Sequence, residues 1–168
     1  MLNELSKSII SMGHKVTVIT FSNDLKENYI YENINGAFVF KLKVSDPGFS
    51  KVNRAINELS YSSKIIKLLK KNVISDIDGV IFFSPSIFFG RAVSYIKKTY
   101  CIQSYLILRD IFPDWLVKIN QLNKGLIYYF FKVFEYTTFK NADFIGTESL
   151  ADIEHVVRIR GNKEVDIQ

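Results

Sequence analysis

The chain has 168 residues, a formal net charge of +5, and a hydrophobic fraction of 48%. This length fits one ordinary domain, and the aromatic fraction of 14% excludes low-complexity disorder. Cys101 is the single cysteine, which excludes an internal disulfide and a cysteine-based metal site, and we expect it to be buried as a small hydrophobe. The positive charge suits phosphates, a nucleic acid or an acidic membrane surface, and selects none of them.

The apolar pattern predicts helices that alternate with strands. A helix over residues 1–12 ends at Gly13, and a buried strand follows over residues 16–21. Asn35-Gly36 separates two strand-like runs, 29–34 and 37–44, which is typical of a β-hairpin. The remaining predicted elements are helix 52–71, strand 79–83, helix 87–100, strand 102–108, helix 125–141, strand 144–147, helix 150–160 and strand 165–167.

This alternation predicts an α/β fold with a Rossmann-like, doubly wound and mostly parallel sheet. We interpret residues 1–168 as one domain that is truncated at both ends, since the chain starts in a helix and stops in a strand. The first, central strand of such a sheet would then be missing. The neighbouring strand edges would be unpaired, so we expect this chain to be poorly stable on its own.

Two features of the sequence bear on location. Asn3, Glu4 and Lys7 interrupt any apolar core of a signal peptide. No run reaches the roughly 18 apolar residues of a membrane-spanning helix. We therefore expect a cytoplasmic protein, with peripheral contact at the inner face of the cytoplasmic membrane as a further option.

The stretch from Ser104 to Trp115 is the strongest candidate for a functional site. An apolar strand runs directly into a loop that carries Arg109, Asp110 and Asp114. In open α/β sheets, ligands bind beyond the carboxyl ends of the strands, so this cluster predicts the mouth of a site. The alternative is an ordinary strand end with a polar surface turn.

Several segments carry a family resemblance. Met1–Leu5 followed by Gly13–Thr20 resembles the first helix and second strand of the retaining glycosyltransferases of family 4. Arg54–Glu58, Ser84–Phe88 and Ser104–Trp115 resemble a narrower branch. That branch contains bacterial transferases of O-antigen and capsule assembly, including N-acetyl-L-fucosamine transferases. The resemblance covers nearly the whole chain, and the Leu-Arg-Asp-Ile-Phe-Pro-x-Trp piece is its most specific part.

The resemblance implies a GT-B enzyme, in which two Rossmann-like domains face each other across a cleft. The N-terminal domain of such an enzyme binds the acceptor, and the C-terminal domain binds the nucleotide-sugar and carries a pair of glutamates. This chain would be most of the acceptor-side domain, with the donor-binding domain absent, and we expect it to be inactive alone. The implied partners are a nucleotide-sugar donor, which the absent domain would bind, and a lipid-linked saccharide acceptor.

No cofactor and no metal are expected. GT-B enzymes usually need no bound metal, so the resemblance implies none here. His14 and His155 are far apart in the sequence and lack a carboxylate pattern. We expect His14 to lie at a turn.

The resemblance makes Arg109 and Asp110 the catalytic candidates. Sugar transfer leaves a nucleoside diphosphate that gathers negative charge, and fixed cations aimed at that charge lower the barrier. Arg109 would stabilise this charge or hold an acceptor pyrophosphate through paired hydrogen bonds. Asp110 would bind sugar hydroxyls or orient Arg109. The alternative is a purely structural Arg-Asp pair at a strand end.

Further residues at strand ends are candidates for binding the acceptor. A serine there can equally cap the helix that follows it, which applies at Ile87 and at Leu150. A tryptophan can stack on a sugar ring, but a lone tryptophan is more often a core residue. The candidates are Ser84, Ser86, Asp114, Trp115, Glu148 and Ser149.

The predicted helix 125–141 is apolar nearly all round, apart from a line formed by Lys132, Glu135 and Thr138. Such a helix is normally buried, so we expect it to pack against the sheet or the absent domain, with membrane contact as the alternative. Lysine pairs also end two other predicted helices, at residues 70–71 and 97–98. They suit the helix dipole, and they could also meet anionic lipid.

The leading interpretation is therefore part of a retaining glycosyltransferase of surface polysaccharide biosynthesis. A non-catalytic Rossmann-like binding module and a degenerate gene remnant are the alternatives. The module has little direct support because the sequence contains no Gly-x-Gly-x-x-Gly phosphate loop. A nucleic-acid binder ranks last, since the basic residues are dispersed and form no recognition motif.

Overall fold

The computed structural model describes residues 2–46, 51–84, 86–160 and 165–167, and shows an α/β protein. Its helices are α1 (Leu2–Ser11), α2 (Lys51–Leu69), α3 (Gly90–Tyr100), α4 (Asp114–Lys118), α5 (Leu126–Asn141) and α6 (Leu150–Arg160), with a 3₁₀ helix at Ile87–Phe89. Its strands are β1 (Thr17–Ser22), β2 (Tyr29–Ile34), β3 (Ala37–Lys43), β4 (Gly79–Phe83), β5 (Gln103–Leu108), β6 (Phe144–Thr147) and β7 (Val165–Ile167). Contacts between residues divide the chain into two compact units, residues 1–57 and 58–168.

The first unit contains a three-stranded mixed sheet in the order β1-β3-β2. Strand β1 runs parallel to β3, and β2 pairs with β3 in the antiparallel direction. Asn35 and Gly36 make the turn between β2 and β3, with φ values of 52° and 86°. Both residues thus adopt the left-handed backbone that a tight two-residue hairpin requires. The predicted hairpin is confirmed.

The second unit is built on a four-stranded parallel sheet in the order β4-β5-β6-β7. Residues Leu106–Leu108 of β5 and Ile145–Thr147 of β6 are buried. Leu106, Leu108, Ile145 and Val156 are at most 1% exposed and form the centre of the core. The predicted parallel strand–helix–strand units are confirmed in this unit, but the described strands form two separate sheets and not one mostly parallel sheet.

Helices α3 and α5 approach closely at Gly90. A β-carbon at this position would lie 2.9 Å from the carbonyl carbon of Thr137 and from the backbone nitrogen of Thr138. Beside this contact, the buried Ser62 hydroxyl of α2 donates a hydrogen bond to the Phe88 carbonyl over 2.5 Å, and accepts one from the Ala92 N–H. These contacts fix the backbone of the 3₁₀ helix and the start of α3.

The structure corrects three expectations. The helix predicted from residue 87 begins as a 3₁₀ helix over Ile87–Phe89. The short helix α4 was not predicted. Cys101 is exposed and not buried, because it follows the last turn of α3 in the left-handed conformation, with φ of 55°.

Among the residues that the structure describes, no helix is both long enough and apolar enough to cross a membrane.

Candidate functional site

Residues at the carboxyl ends of β4, β5 and β6 lie along one edge of the parallel sheet. Leu108 of β5 is in register with Thr147 of β6. The next residue of each chain segment, Arg109 and Glu148, therefore leaves the sheet side by side. Ser84 leaves the neighbouring strand β4 at the same edge, since Phe83 is in register with Ile107.

Arg109 and Glu148 form an ion pair across this edge. Nε of Arg109 lies 3.3 Å from Oε1 of Glu148, and about half of each side chain is exposed, 50% and 53%. An exposed pair of this kind contributes little to stability, because water screens both charges. The pair instead fixes position: it holds the exposed Arg109 guanidinium beside the Glu148 carboxylate, where a ligand can contact both groups.

Ser84 and Asp110 connect β4 to the loop that follows β5. The Ser84 hydroxyl donates to the backbone carbonyl of Asp110 over 2.5 Å, and the Ser84 N–H donates to the Ile107 carbonyl over 3.0 Å. This arrangement fixes the backbone at Asp110, whose side chain is exposed. Ser84 is thus a residue that positions the loop, and it does not cap the helix after it.

Ser86 differs from Ser84 in its hydrogen bonding. Its Oγ is buried and has no hydrogen-bond partner among the described residues. Ser86 precedes the 3₁₀ helix at Ile87–Phe89 but makes no side-chain cap there, so the capping alternative is wrong at this residue. Buried hydroxyl groups nearly always find a partner, so Ser86 departs from the usual pattern.

Glu148 and Ser149 lie between β6 and α6. The Ser149 carbonyl accepts hydrogen bonds from the Asp152 N–H over 3.1 Å and from the Thr147 hydroxyl over 3.2 Å. The Ser149 backbone therefore takes part in the first turn of α6. Of the two residues, Glu148 is the one that the structure brings to Arg109.

Asp114 lies in a different environment, within a cluster of charged side chains at the start of α4. Its carboxylate accepts hydrogen bonds from the Tyr128 hydroxyl over 2.6 Å and from Lys132 over 3.0 Å. His155 Nε2 lies 3.6 Å from the same carboxylate. Trp115, the next residue, is 38% exposed, so it is not the core tryptophan of the alternative interpretation.

Glu135 is the buried member of this cluster, with 1% of the residue exposed. His155 Nε2 lies 3.0 Å from its Oε1, and Lys132 forms an ion pair with its Oε2. The cluster thus joins α4, α5 and α6. Sequence reasoning missed it, although the three-residue spacing of Lys132, Glu135 and Thr138 was a signal that polar groups share one side of α5.

The cluster shifts the pKa values of two of its members. Burial alone would raise the pKa of Asp114, but hydrogen bonds from Tyr128 and Lys132, with the charges of Lys132 and His155, lower it below its usual value. Burial raises the pKa of the Tyr128 hydroxyl, and its hydrogen bond to the Asp114 carboxylate raises it further. Asp114 is therefore ionised and Tyr128 neutral near pH 7.

Three residues of this cluster are of types that can bind a metal ion. Asp114, Glu135 and His155 each offer one atom, and these atoms lie within 4.8 Å of one another. The Lys132 ammonium, however, already forms ion pairs with both carboxylates. Lys132 therefore balances one of the two negative charges, and His155 lies against both carboxylates, so the arrangement suits a structural ion network.

A second charged group lies at the opposite, amino-terminal edge of the sheet. Asp143, just before β6, accepts hydrogen bonds from Lys97 over 2.7 Å and from the Ser104 backbone over 2.9 Å. Burial alone would raise the pKa of Asp143, but these hydrogen bonds and the Lys97 charge lower it below its usual value. Lys97, from one of the two lysine pairs, thus serves to connect α3 to the sheet.

Comparisons with known proteins add no family assignment: no family model matches the sequence, and no curated protein matches it.

Proposed function

We propose that this chain is the acceptor-side, Rossmann-like part of a retaining glycosyltransferase with a GT-B fold. The observation that carries the proposal is the Arg109–Glu148 pair at the carboxyl edge of the parallel sheet. Arg109 belongs to the sequence piece with the most specific resemblance to the family 4 transferases. In such folds this edge is where ligands bind.

Arg109 would act on the anionic part of the reaction. Its guanidinium has five N–H donors in a planar fork, which matches the oxygens of a pyrophosphate. As the glycosidic bond to the donor breaks, negative charge gathers on the leaving diphosphate, and a fixed cation lowers the energy of that state. The same group could instead hold the pyrophosphate of a lipid-linked acceptor.

Glu148 and Ser86 would contact the acceptor. The Glu148 carboxylate pairs with Arg109 in the free protein and keeps the guanidinium in place. When an anion binds, that carboxylate becomes free to accept hydrogen bonds from sugar hydroxyls. The Ser86 hydroxyl is buried, so its contact with the acceptor would require the groups that cover it to move. Asp110 and Trp115 are exposed on the loop and on α4, where Trp115 could stack on a sugar ring.

The donor would be a nucleotide-sugar bound outside these residues, and the acceptor a saccharide on a lipid carrier of O-antigen or capsule assembly. The proposed reaction requires no cofactor bound by these residues. A non-catalytic binding module or a gene remnant is the competing interpretation. Whether the reading frame continues into a second α/β domain with two spaced glutamates would separate the transferase from both.

A binding measurement on the chain itself tests the site. The probe is N-acetylglucosamine linked through diphosphate to a farnesyl group, titrated calorimetrically, with inorganic pyrophosphate as the anion alone. We expect Arg109→Ala to weaken binding of both probes by about tenfold or more, since charge-assisted hydrogen bonds contribute about 1.5–3 kcal/mol. The matched control is Arg91→Ala, which removes an exposed arginine from α3. Equal affinity of the wild type and Arg109→Ala would reject the proposal.

A further inference from the structure

Helix α5 turns three polar side chains toward the protein and a row of apolar ones to the outside, while other apolar residues such as Phe139 pack in the core. Lys132 and Glu135 form the ion network with Asp114, and the Thr138 hydroxyl donates to the Ile87 carbonyl over 2.6 Å. Apart from Lys140 in the last turn, the large exposed side chains of the helix are apolar or aromatic. They are Leu126, Ile127, Tyr129, Phe130, Val133 and Tyr136, here called the outer face of α5.

This orientation is the reverse of that on a helix whose outer side meets water. Surface helices of globular proteins carry apolar residues toward the core and polar residues outward. Here Leu126 is 90% exposed and Val133 is 63% exposed, while Glu135 is 1% exposed. Leu126, Phe130 and Val133 recur four and three residues apart, so they form one continuous stripe. A contiguous apolar stripe of this kind marks an interaction surface.

The charges around the outer face indicate which partner it fits. Lys118 and Lys124 are exposed before α5, and Lys140 is exposed in its last turn. The exposed positions of α5 include no carboxylate. Tyr129 and Tyr136 add hydroxyl groups to aromatic rings, a combination that favours the boundary between hydrocarbon and headgroups. Apolar and aromatic residues flanked by lysines are the features of a helix that lies in the surface of an anionic bilayer.

A second copy of the chain fits this face less well. A twofold contact between two outer faces would place the same residues on both sides. With the two helices antiparallel, Lys124 of one copy would approach Lys140 of the other. With the helices parallel, each lysine would approach its own equivalent. Both arrangements bring like charges together, whereas anionic headgroups neutralise them.

We propose that the outer face of α5 is a docking surface for an anionic lipid bilayer, on which the helix lies parallel to the membrane plane. Leu126, Phe130 and Val133 enter the acyl boundary, and Lys124 and Lys140 contact headgroup phosphates. The proposal stands on the polarity of the helix, and it does not depend on the proposed glycosyltransferase activity.

Co-sedimentation of the full chain with vesicles of phosphatidylcholine, with and without phosphatidylglycerol, tests the proposal. We expect binding to the vesicles that contain phosphatidylglycerol. Val133→Glu is expected to weaken that binding by about tenfold or more, because it replaces a buried apolar side chain with a charge in the bound state. Val73→Glu is the matched control, since Val73 is exposed and lies outside this face. This variant should bind the vesicles as the wild type does.

The electrostatic part has its own variant. Lys124→Glu with Lys140→Glu should weaken binding to phosphatidylglycerol vesicles by about thirtyfold or more, since each lysine near such a surface contributes about 1 kcal/mol. Lys26→Glu with Lys67→Glu, which reverses two exposed lysines outside α5, is the control. Thermal unfolding checks that each variant is folded.

Three outcomes would overturn the proposal. The first is that the wild type does not bind the anionic vesicles, and the second is that Val133→Glu binds them as tightly as the wild type. A third outcome is a dimer in sedimentation velocity that Val133→Glu dissociates, without vesicle binding, which would assign the face to a second copy. Loss of vesicle binding with intact pyrophosphate binding would leave the proposed function standing.

Discussion

His155 Nε2 lies 3.0 Å from Glu135 Oε1, and this contact joins α6 to the buried side of α5. Burying a carboxylate is costly unless a partner compensates its charge. Here Lys132 and His155 face Glu135, and Asp114 faces the same two groups. The stability of the three helices at this point depends on keeping the charges of the cluster matched.

Removing the lysine should therefore be strongly destabilising. Lys132→Met would leave the Glu135 carboxylate buried without its ammonium partner, and we expect the free energy of unfolding to fall by about 3 kcal/mol. Urea denaturation at pH 7 measures the change. Lys140→Met, which removes an exposed lysine of the same helix, should change stability by less than about 0.5 kcal/mol. Adding Glu135→Gln to Lys132→Met should restore part of the loss, and full stability of Lys132→Met alone would contradict this account.

Asp143 predicts a pH dependence of stability. Its pKa is lowered in the folded protein, since Lys97 and Ser104 outweigh the effect of burial. The folded state thus binds this proton less readily than the unfolded state, whose Asp pKa is about 3.9. The stabilisation is fully present above that value, and it is lost as the pH falls through the lower folded pKa.

The variant Asp143→Asn isolates this contribution. At pH 7 we expect it to unfold about 2 kcal/mol more easily, because hydrogen bonds to a charged group are lost. The difference from the wild type should stay constant down to about pH 5 and shrink below about pH 4. Urea denaturation across this pH range measures it, with Asp78→Asn at an exposed position as the control. A difference that does not change with pH would show that the charge is not responsible.

Gly90 sets the distance between α3 and α5. A β-carbon would lie 2.9 Å from two backbone atoms of Thr137 and Thr138, which cannot move aside as a flexible side chain can. We expect Gly90→Ala to lower the free energy of unfolding by about 2 kcal/mol through overpacking. Gly125→Ala is the matched control, since no atom lies within 4 Å of its β-carbon position. Thermal unfolding of the two variants should separate them, and similar melting temperatures would argue against the close contact.

Ser62 gives a prediction about a buried hydroxyl. Its Oγ donates to the Phe88 carbonyl and accepts from the Ala92 N–H. Ser62→Ala leaves both backbone groups without this partner, so we expect a loss of about 2 kcal/mol in the free energy of unfolding. Ser63→Ala changes the next residue of the same helix and should be nearly neutral. Chemical denaturation compares them, and equal stability of the two variants would remove Ser62 from this role.

The sequence predicted the elements of the fold well where one pattern was sufficient. Asn35-Gly36 predicted the hairpin because few other residues adopt its backbone, and the mainly apolar segment 102–108 predicted a strand of the parallel sheet. Helix α4 was not predicted because five residues are too few to show a helical period. The exposure of Cys101 was not predicted because its position just after α3 depends on where that helix ends.

The site could be predicted only in part. Arg109 and Glu148 were both candidates because each follows a strand, but their pairing depends on the register of β5 and β6. The cluster of Asp114, Glu135 and His155 depends on contacts among three helices that lie far apart in the sequence. The side of α5 that faces the core could not be predicted either, since both of its sides are apolar enough to be buried.

The register of β5 against β6 has a consequence for how this edge of the sheet can vary. Leu108 and Thr147 are opposite each other in the parallel ladder, so the backbone spacing of the positions that follow, Arg109 and Glu148, is set by the ladder and not by the side chains themselves. The residues at positions 109 and 148 can therefore be substituted without altering the distance between the two backbone positions. What this edge recognises can therefore change by substitution alone, while the scaffold that presents it stays the same.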